Sequence, residues 1–241
     1  MSNKLYIVMP TYNEEANIKN VVEEWYPMLA LADPDSKLVI SDGGSKDNTV
    51  KILRELQKVY PNLEVIEKPG TDHGTKVIFL YKYAIEQKAD YIFQTDSDGQ
   101  TKASEFNFFW ENRNNYEAII GNRVIRGDGF FRKIVERVLC ILILLFFGVN
   151  IQDSNAPYRL MKADLVNKYI NRLEPTFNLP NTMMTTYFVY YKHKVYFKEI
   201  TFQPRQGGKN FMNLKRIIRI GFETIGNFAK YKKELKTYEN A

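Results

Sequence analysis

Residues 91–100 read YIFQTDSDGQ, a short apolar run followed by two aspartates, a glycine and a glutamine. The run at 91–94 predicts a buried strand, and the residues after it predict a tight turn at the carboxyl end of that strand. The turn carries Asp96, Asp98 and Gln100, whose side-chain oxygens are the kind of ligand that Mg²⁺ and Mn²⁺ take. The other interpretation is an Asx turn, in which each aspartate bonds only to its own backbone. So short a motif does not decide between a metal site and a turn.

The same arrangement, a strand followed by a polar loop, occurs three more times before residue 91. Strands are predicted at Leu5–Met9, Lys37–Ile40 and Leu63–Ile66, and the loops after them read PTYNE, SDGGSKD and KPGTDHGT. Helices are predicted between the strands at Glu14–Leu31, Asp47–Tyr60 and His73–Gln87. This alternation predicts a Rossmann-like α/β fold, a mostly parallel sheet with helices on both faces. Ligands of such sheets bind at the carboxyl ends of the strands, so the polar loops are expected to line one crevice.

The loop at 41–47 offers the carboxylate of Asp42 as an acceptor for a nucleobase or a ribose. The alternative is turn chemistry alone, with Asp47 capping the next helix. Because several polar loops are expected at the same crevice, a ligand site is favoured over independent turns.

The second half of the chain is less regular. It predicts strands at Ala118–Gly121 and Val195–Ile200, a basic and then apolar helix at Phe130–Phe147, and a helix at Leu179–Tyr191. No linker or internal repeat separates the halves. The sequence therefore predicts a single domain over residues 1–212, followed by a basic amphipathic C-terminal helix or tail over residues 213–241.

Composition excludes several classes of protein. Hydrophobic residues make up 44% and charged residues 26% of the chain, which is ordinary for a globular domain. One cysteine, Cys140, excludes an internal disulfide and a cysteine cluster, and two histidines, His73 and His193, argue against a histidine-rich metal centre. The N-terminus reaches Pro10 before an apolar signal segment forms, so a cytoplasmic location is expected.

The net charge of +6 comes entirely from residues 203–241. Through Phe202 the chain carries 25 basic and 25 acidic residues, and after it 9 and 3. A local excess without a recognition motif disfavours a nucleic-acid-binding protein.

Two segments suggest contact with a membrane surface. Val138–Val149 is a run of twelve largely apolar residues, too short to span a bilayer, which needs about 20. It is either core or a surface embedded in the membrane interface. The tail places apolar residues on one helical face, namely Leu214, Ile217, Ile218, Phe222, Ile225 and Phe228. That face either packs on the domain or accompanies a basic helix on an anionic membrane, and we expect peripheral attachment at the cytoplasmic face.

Taken together, IVMPTYNEE at 7–15, VISDGGSKDNT at 39–49 and IFQTDSDGQ at 92–100 resemble the family 2 glycosyltransferases of GT-A fold. The chain is most similar to the dolichyl- and polyprenyl-phosphate sugar transferases of that family. The resemblance runs from Leu5 to about Phe211. It continues through GNR at 121–123, RKIVER at 132–137, DSNAPYR at 153–159 and PRQGG at 204–208.

The resemblance implies roles for individual residues. The nucleoside would be held by Pro10, Tyr12, Glu14 and Asp42. The metal, Mg²⁺ or Mn²⁺, and the donor diphosphate would be held by Asp96, Asp98 and Gln100. Catalysis would involve Asp98 with two arginines at the donor phosphates, Arg123 and Arg205. An acceptor phosphate would lie between Arg132 and Arg137.

The chain departs from the family pattern at three positions. The second of two paired aspartates is Gly43, a lysine after the last arginine motif is Phe211, and an asparagine in the acceptor helix is Cys140. Lys209 lies near Phe211 and is the candidate to replace that lysine in donor binding. The QxxRW signature of processive synthases is absent, which favours transfer of a single sugar.

The implied reaction is an inverting, metal-dependent transfer from a UDP- or GDP-sugar to a polyprenyl phosphate at the membrane surface. A phosphate acceptor is already an anion and needs no general base. One alternative is transfer to a hydroxyl of a glycan or glycolipid, for which Asp153 is the candidate base. The other is an inactive protein that binds a nucleotide sugar or a membrane. The oligomeric state is not determined by the sequence.

Overall fold

A seven-stranded sheet forms the centre of the chain in the computed structural model, which describes residues 3–68, 70–126, 130–205 and 214–239. The strands are β1 (Leu5–Thr11), β2 (Lys37–Asp42), β3 (Leu63–Glu67), β4 (Tyr91–Thr95), β5 (Ala118–Arg126), β6 (Tyr158–Lys162) and β7 (Val195–Phe202). Their order in the sheet is β3-β2-β1-β4-β6-β5-β7. Only β6 runs antiparallel to its neighbours, β4 and β5. The predicted mostly parallel sheet is confirmed.

Helices cover both faces of this sheet. They are α1 (Ile18–Trp25), α2 (Thr49–Gln57), α3 (His73–Glu86), α4 (Phe106–Glu111), α5 (Phe130–Phe147), α6 (Ala163–Ile170), α7 (Pro180–Tyr190) and α8 (Leu214–Glu239). One hydrophobic core lies between the sheet and α3, α5, α6, α7 and α8. A second core lies on the opposite face, against α1, α2 and α4. Burial on both faces explains why the parallel strands read as continuous apolar runs rather than as alternating patterns.

The parallel pairing of β1 with β2 and β4 places three strand ends at one edge. Thr11 lies opposite Asp42 in the register of β1 and β2, and Val8 lies opposite Gln94 in the register of β1 and β4. The residues that follow these strands therefore meet, as the sequence predicts.

The first helix starts later than predicted. It begins at Ile18 instead of Glu14, and a 3₁₀ helix at Tyr26–Leu31 continues it. Glu14 is buried ahead of the helix, where its carboxylate accepts a hydrogen bond from Asn17 Nδ2 at 2.8 Å. The tertiary contacts of Glu14 thus override its local preference for a helix.

Two strands of the second half differ from the expectation. β5 extends to Arg126, so GNR lies inside a strand and not after one. β6 and the helix α6 have no predicted counterpart. The sequence does not predict β6 because a charged residue, Arg159, interrupts the apolar pattern of this short strand. The side chain of Arg159 is completely buried.

The helix α5 has apolar residues on two faces. Leu139, Ile143 and Phe147 are buried in the core. The outward face carries Val138, Ile141, Leu144 and Leu145, which are between 48% and 70% exposed. Within the described part of the chain, none of the helices combines the length and hydropathy needed to cross a bilayer. The apolar run is therefore core on one side and an exposed apolar surface on the other.

The helix α8 packs on the domain over part of its length. Phe228, Tyr231 and Leu235 are buried in the core, and the Phe228 ring contacts Phe146 and Phe147 at centroid distances of 5.9 and 5.3 Å. Ile225, one turn earlier, is 42% exposed. The side chains of Leu214, Ile217, Ile218 and Phe222, which the sequence assigns to the same face, lie outside the described residues.

We expect Phe228→Ala to lower the free energy of unfolding by about 3–5 kcal/mol, because it leaves a cavity between α5 and α8. Chemical denaturation measures the difference. Ile225→Ala, on the exposed side of the same helix, is the matched control and should change stability much less. Equal effects of the two substitutions would show that α8 does not pack as described.

Candidate active site

Asp42 is the last residue of β2, and its side chain accepts hydrogen bonds from the loop that follows. It is buried, and its Oδ1 accepts hydrogen bonds from the backbone amides of Gly44 and Ser45, both at 2.8 Å. Its Oδ2 accepts a third bond from the Ser45 hydroxyl. The turn interpretation of this residue is therefore correct in part, and any contact to a nucleoside would be additional to these bonds.

The two carboxylates after β4 share a turn with restricted geometry. The Ser97 hydroxyl donates to the Pro10 carbonyl of β1 at 2.9 Å, which ties the turn to the neighbouring strand. Gly99 has a φ of 72°, a conformation that favours glycine over residues with a Cβ. The Gln100 amide donates to Asp98 Oδ1 at 3.1 Å, so an Asx bond is present. The local turn and a ligand site are compatible here, since these bonds engage only part of each carboxylate's capacity.

The electrostatics of this turn fit a divalent cation. Burial, and next the charge of Asp96, raise the pKa of Asp98 to about 6. Two close carboxylates with little solvent destabilise each other as anions, and a bound cation would relieve that repulsion. Within the described ranges no third histidine, cysteine or acidic residue completes a three-ligand metal group. The two carboxylates alone offer oxygen ligands, which is the ligand type that a hard divalent cation takes.

Arg205 reaches this turn from the far end of the chain. Its guanidinium pairs with Glu14 and lies 3.8 Å from Asp98 Oδ2 through Nη1. Burial raises the pKa of Glu14 above its ordinary range. The structure thus brings together three residues that the sequence could only place in separate loops.

Gln100 links the turn to the segment that carries Arg205. It is buried, its Nε2 donates to the Gln203 carbonyl at 2.7 Å, and Gln203 N donates back to the Gln100 carbonyl at 2.8 Å. This pair of bonds fixes the course of the chain between the end of β7 and Arg205. The role of Gln100 as a metal ligand stays a prediction.

Arg123 makes a buried ion pair with Asp153. Its Nε and Nη2 donate to the two carboxylate oxygens at 2.7 Å each, and its backbone amide donates to Oδ2 at 3.1 Å. Glu136 Oε2 lies 3.6 Å from the same guanidinium, and Glu136 Oε1 accepts bonds from Ser154 N at 2.8 Å and Ser154 Oγ at 2.9 Å. The described contacts of Arg123 therefore hold the loop at 153–154 against β5 and α5.

A cavity of about 490 Å³ opens beside this ion pair. Its wall includes Arg137, Cys140, Ile141 and Leu144 from α5, and the residues 150–153 from the following loop. One side is thus polar and carries charges of both signs, Arg123 and Arg137 with Glu136 and Asp153, and the other side continues into the exposed apolar face of α5. The side chain of Arg132, the other predicted acceptor residue, and all of Lys209 lie outside the described residues.

Lys76 is a site residue that the motifs did not reveal. It is buried, its Nζ donates to the Thr11 carbonyl at 2.7 Å, and the Nζ lies 5.6 Å from the centre of the Tyr12 ring. A Cβ added at Gly43 would lie 2.6 Å from the same Nζ, so the lysine occupies the space next to this departure from the family pattern. Burial lowers the pKa of Lys76. The signal in the sequence is its helical spacing, in line with the buried Leu80 and Ala84.

His73 and Gln94 also contact the acidic turn. His73 Nε2 lies 3.2 Å from Asp96 Oδ1, and Gln94 Nε2 donates to the same oxygen at 3.2 Å. Neither residue carries a motif of its own, and only the fold places them beside Asp96.

Residues 6–170, well over half of the chain, match the family described as glycosyl transferase family 2. The chain belongs to this family. The resemblance noted from its sequence motifs is confirmed.

Three curated relatives show which members of the family the chain is similar to. A dolichyl-phosphate beta-glucosyltransferase of Trichomonas vaginalis is 26% identical over 68% of this chain and 57% of its own length. An undecaprenyl-phosphate 4-deoxy-4-formamido-L-arabinose transferase of Proteus mirabilis is 21% identical over 74% and 55%. A UDP-N-acetylglucosamine–dolichyl-phosphate N-acetylglucosaminyltransferase of Methanococcus voltae is 28% identical over 66% and 70%. The chain thus spans little more than half the length of the first two relatives.

Solved structures place the fold among GT-A enzymes. A glucosyl-3-phosphoglycerate synthase of Mycobacterium tuberculosis, in complex with Mn²⁺, UDP and glucosyl-3-phosphoglycerate, superposes with a TM-score of 0.67 at 15% identity, over 95% of this chain and 80% of its own. A mannosyl-3-phosphoglycerate synthase of Rubrobacter xylanophilus gives a TM-score of 0.68 at 11% identity, over 97% and 75%. At these identities the likeness shows the fold, and it confirms the predicted fold class.

The raised pKa of Asp98 predicts how Asp98→Asn changes stability with pH in chelator-treated protein. Because the folded state holds the proton more tightly than the unfolded state, the wild type loses stability as the pH rises from about 4 through 6. Asparagine carries no such charge. The free energy of unfolding of the variant, relative to that of the wild type, should therefore rise over that range, by up to about 3 kcal/mol above pH 7.

Chemical denaturation at several pH values measures this difference. Asp35→Asn, at an exposed aspartate before β2, is the control for replacement of an aspartate by asparagine. A flat difference for Asp98→Asn would mean that neither burial nor the charge of Asp96 raises the pKa of Asp98 in the folded protein.

Proposed function

We propose that this glycosyltransferase transfers one sugar from a nucleotide diphosphate sugar to a polyprenyl phosphate, with inversion and with a divalent metal. The observation that carries the proposal is a pairing of two sites. The acidic turn of Asp96 and Asp98 lies beside Arg205, and the cavity at Arg137 continues into an exposed apolar helix face. The names of the three relatives, which refer to dolichyl or undecaprenyl phosphate, support this acceptor class.

The donor side consists of the loops after β1, β2 and β4. Pro10, Tyr12, Glu14 and Asp42 would hold the nucleoside, joined by Lys76 at the base of the same crevice. When bound, Mg²⁺ or Mn²⁺ supplies positive charge to the departing diphosphate. Asp96 and Asp98 would hold that ion, and the Mn²⁺ and UDP in a related fold are consistent with it.

Arg205 has a separate task in this proposal. Its guanidinium already lies next to Asp98 and Glu14, and a diphosphate in the crevice would offer it a more complementary partner. It would then stabilise the charge that develops on the leaving group, which is the largest electrostatic demand of the reaction.

The acceptor side favours a phosphate over a hydroxyl. A hydroxyl needs a base to take its proton, and the sequence offers Asp153 for that role. Both carboxylate oxygens of Asp153 are engaged by Arg123 in a buried pair. A phosphate acceptor needs no base, since its oxygen attacks the anomeric carbon as an anion.

Arg137 and the neighbouring apolar wall suit the two ends of a polyprenyl phosphate. The guanidinium of Arg137 would hold the phosphate, and the lipid would leave along Ile141 and Leu144 of α5. Arg132 would be the second arginine of this site. The ordered acidic pair and its cationic neighbour argue against an inactive binding protein.

The exposed face of α5 supports peripheral membrane attachment, which we propose at the cytoplasmic side. Ile134, Val138, Ile141 and Leu145 follow one another at intervals of four, three and four residues, so they form one exposed stripe. A stripe of this kind lies in the interfacial region of a bilayer, and the basic tail would add attraction to anionic lipids. It would bring the cavity to the lipid acceptor.

Transfer of radiolabelled sugar from UDP- and GDP-sugars to polyprenyl phosphate tests the proposal. We expect turnover that requires Mn²⁺ or Mg²⁺. Arg137→Gln should raise the KM for the lipid at least tenfold, because it removes the charge that holds the phosphate. The KM for the donor should not change.

Arg113→Gln is the control for loss of an arginine, since Arg113 lies on the Trp110 ring and outside the cavity. Transfer to a soluble glycan with none to polyprenyl phosphate would overturn the proposed acceptor. Undiminished turnover in excess chelator would remove the metal from the proposal.

Replacement of Ile141 and Leu145 by glutamate should shift the protein from anionic vesicles into solution, because it places charge in the exposed stripe. Vesicle sedimentation at constant ionic strength measures the bound fraction. Val59→Glu alters an equally exposed apolar residue after α2 and is the control. Equal vesicle binding by all three proteins would rule out attachment through α5.

A further inference from the structure

A line of buried hydrogen bonds leads from the helices α3 and α7 to Asp96. The Tyr81 hydroxyl donates to Asn181 Oδ1 at 2.7 Å, and Asn181 Nδ2 donates to Gln94 Oε1 at 2.8 Å. Gln94 Nε2 then donates to Asp96 Oδ1 at 3.2 Å. Tyr81, Asn181 and Gln94 are each no more than 2% exposed. A polar chain therefore crosses the core and ends on a site carboxylate.

The direction of this chain is determined at its charged end. A carboxylate only accepts hydrogen bonds, so Gln94 must turn its nitrogen toward Asp96 and its oxygen toward Asn181. Asn181 must then donate to Gln94 and accept from Tyr81. Each amide has one orientation that satisfies both of its neighbours, and the chain is rigid for that reason.

Asn181 is itself held from the other side. Its backbone carbonyl accepts a bond from Arg159 Nη1 at 3.0 Å. Arg159 is completely buried, and it also donates to the carbonyls of Ser154 and Ala156. Ser154 follows Asp153, so Asn181 is joined both to the loop beside the cavity and to the acidic turn.

Stability alone does not require this arrangement. Apolar side chains of similar shape in place of buried hydrogen-bonded partners are often neutral or stabilising. What the chain adds is control of Asp96. Gln94 and His73 both contact its Oδ1, so they limit rotation of the carboxylate.

We propose that Asn181 is a positioning residue, which orients the Asp96 carboxylate for metal and diphosphate through Gln94. The inference rests on the proposed function, in which Asp96 is a ligand of the donor complex. Asn181 touches neither donor nor acceptor in this proposal and acts only through Gln94.

The test is calorimetric binding of Mn²⁺ with UDP, and of Mn²⁺ with GDP, to wild-type protein and variants. Asn181→Leu removes both hydrogen-bonding functions at similar volume. We expect it to weaken the binding of the nucleotide that the wild type takes by five- to tenfold. In the transfer assay it should raise the KM for Mn²⁺ more than it lowers kcat.

A second variant separates positioning from packing. Asn181→Leu combined with Gln94→Met makes the middle of the chain apolar and removes the unpaired amide that the single change leaves. The double variant should recover thermal stability without recovering Mn²⁺-nucleotide affinity. Recovery of both would reduce Asn181 to a structural role and overturn the proposal.

Two further measurements complete the test. Thr186→Val alters a buried residue of the same helix whose hydroxyl donates to the Thr182 carbonyl, and it should bind like the wild type. If Asn181→Leu does not fold, Tyr81→Phe removes only the hydroxyl at the far end of the chain, and a two- to threefold loss of affinity is expected. Wild-type affinity in every folded chain variant overturns the inference. Absence of Mn²⁺-nucleotide binding by the wild type would instead overturn the proposed function.

Discussion

Burial of the Asp98 carboxylate next to Asp96 is the constraint around which this protein's site is arranged. Burial and the neighbouring charge of Asp96 raise the pKa of Asp98, so Asp98 is held as an anion only at a cost in free energy. Arg205 approaches Asp98, and Lys76 lies in the same crevice. The cost follows from the fold, because the carboxyl ends of the parallel strands lie at one edge of the sheet and the polar residues after them therefore meet there. In the proposed function, a divalent cation and the donor diphosphate would complete the arrangement.

Three arginines of the site have different surroundings. Arg205 lies at the surface of the acidic turn, where a ligand can compete for it. Arg123 is committed to a buried, bidentate pair with Asp153 and serves to hold a loop. Arg137 lines the cavity on the neighbouring helix. Arginines of similar appearance in the sequence thus differ in role because they differ in burial and in carboxylate partners.

The alternation of strands and helices up to β4 could be predicted because each element is regular and each loop is short. The turn at Asp96 and Asp98 could be predicted as well, since it directly follows an obvious strand. β6 could not, because its only charged interior residue, Arg159, is stabilised by carbonyls from distant segments. The buried pair of Arg123 with Asp153 could not be predicted, because it joins residues 30 positions apart in the sequence, and a role of Arg123 at the donor phosphates stays a prediction. Lys76 and Asn181 escape notice for the same reason, since their partners are assembled only by the fold.

The helix α5 has two apolar faces, and one of them must be selected to pack on the core. A helix that is apolar nearly all round has no strong reason to present one face to the core rather than another. Glu136 supplies that reason, because its carboxylate meets the Ser154 amide and hydroxyl and approaches Arg123 in a single rotation of the helix. One polar side chain thus determines how α5 is rotated about its axis, as a buried polar residue determines the register of a coiled coil. It keeps Arg137 at the cavity and leaves the exposed stripe pointing outward.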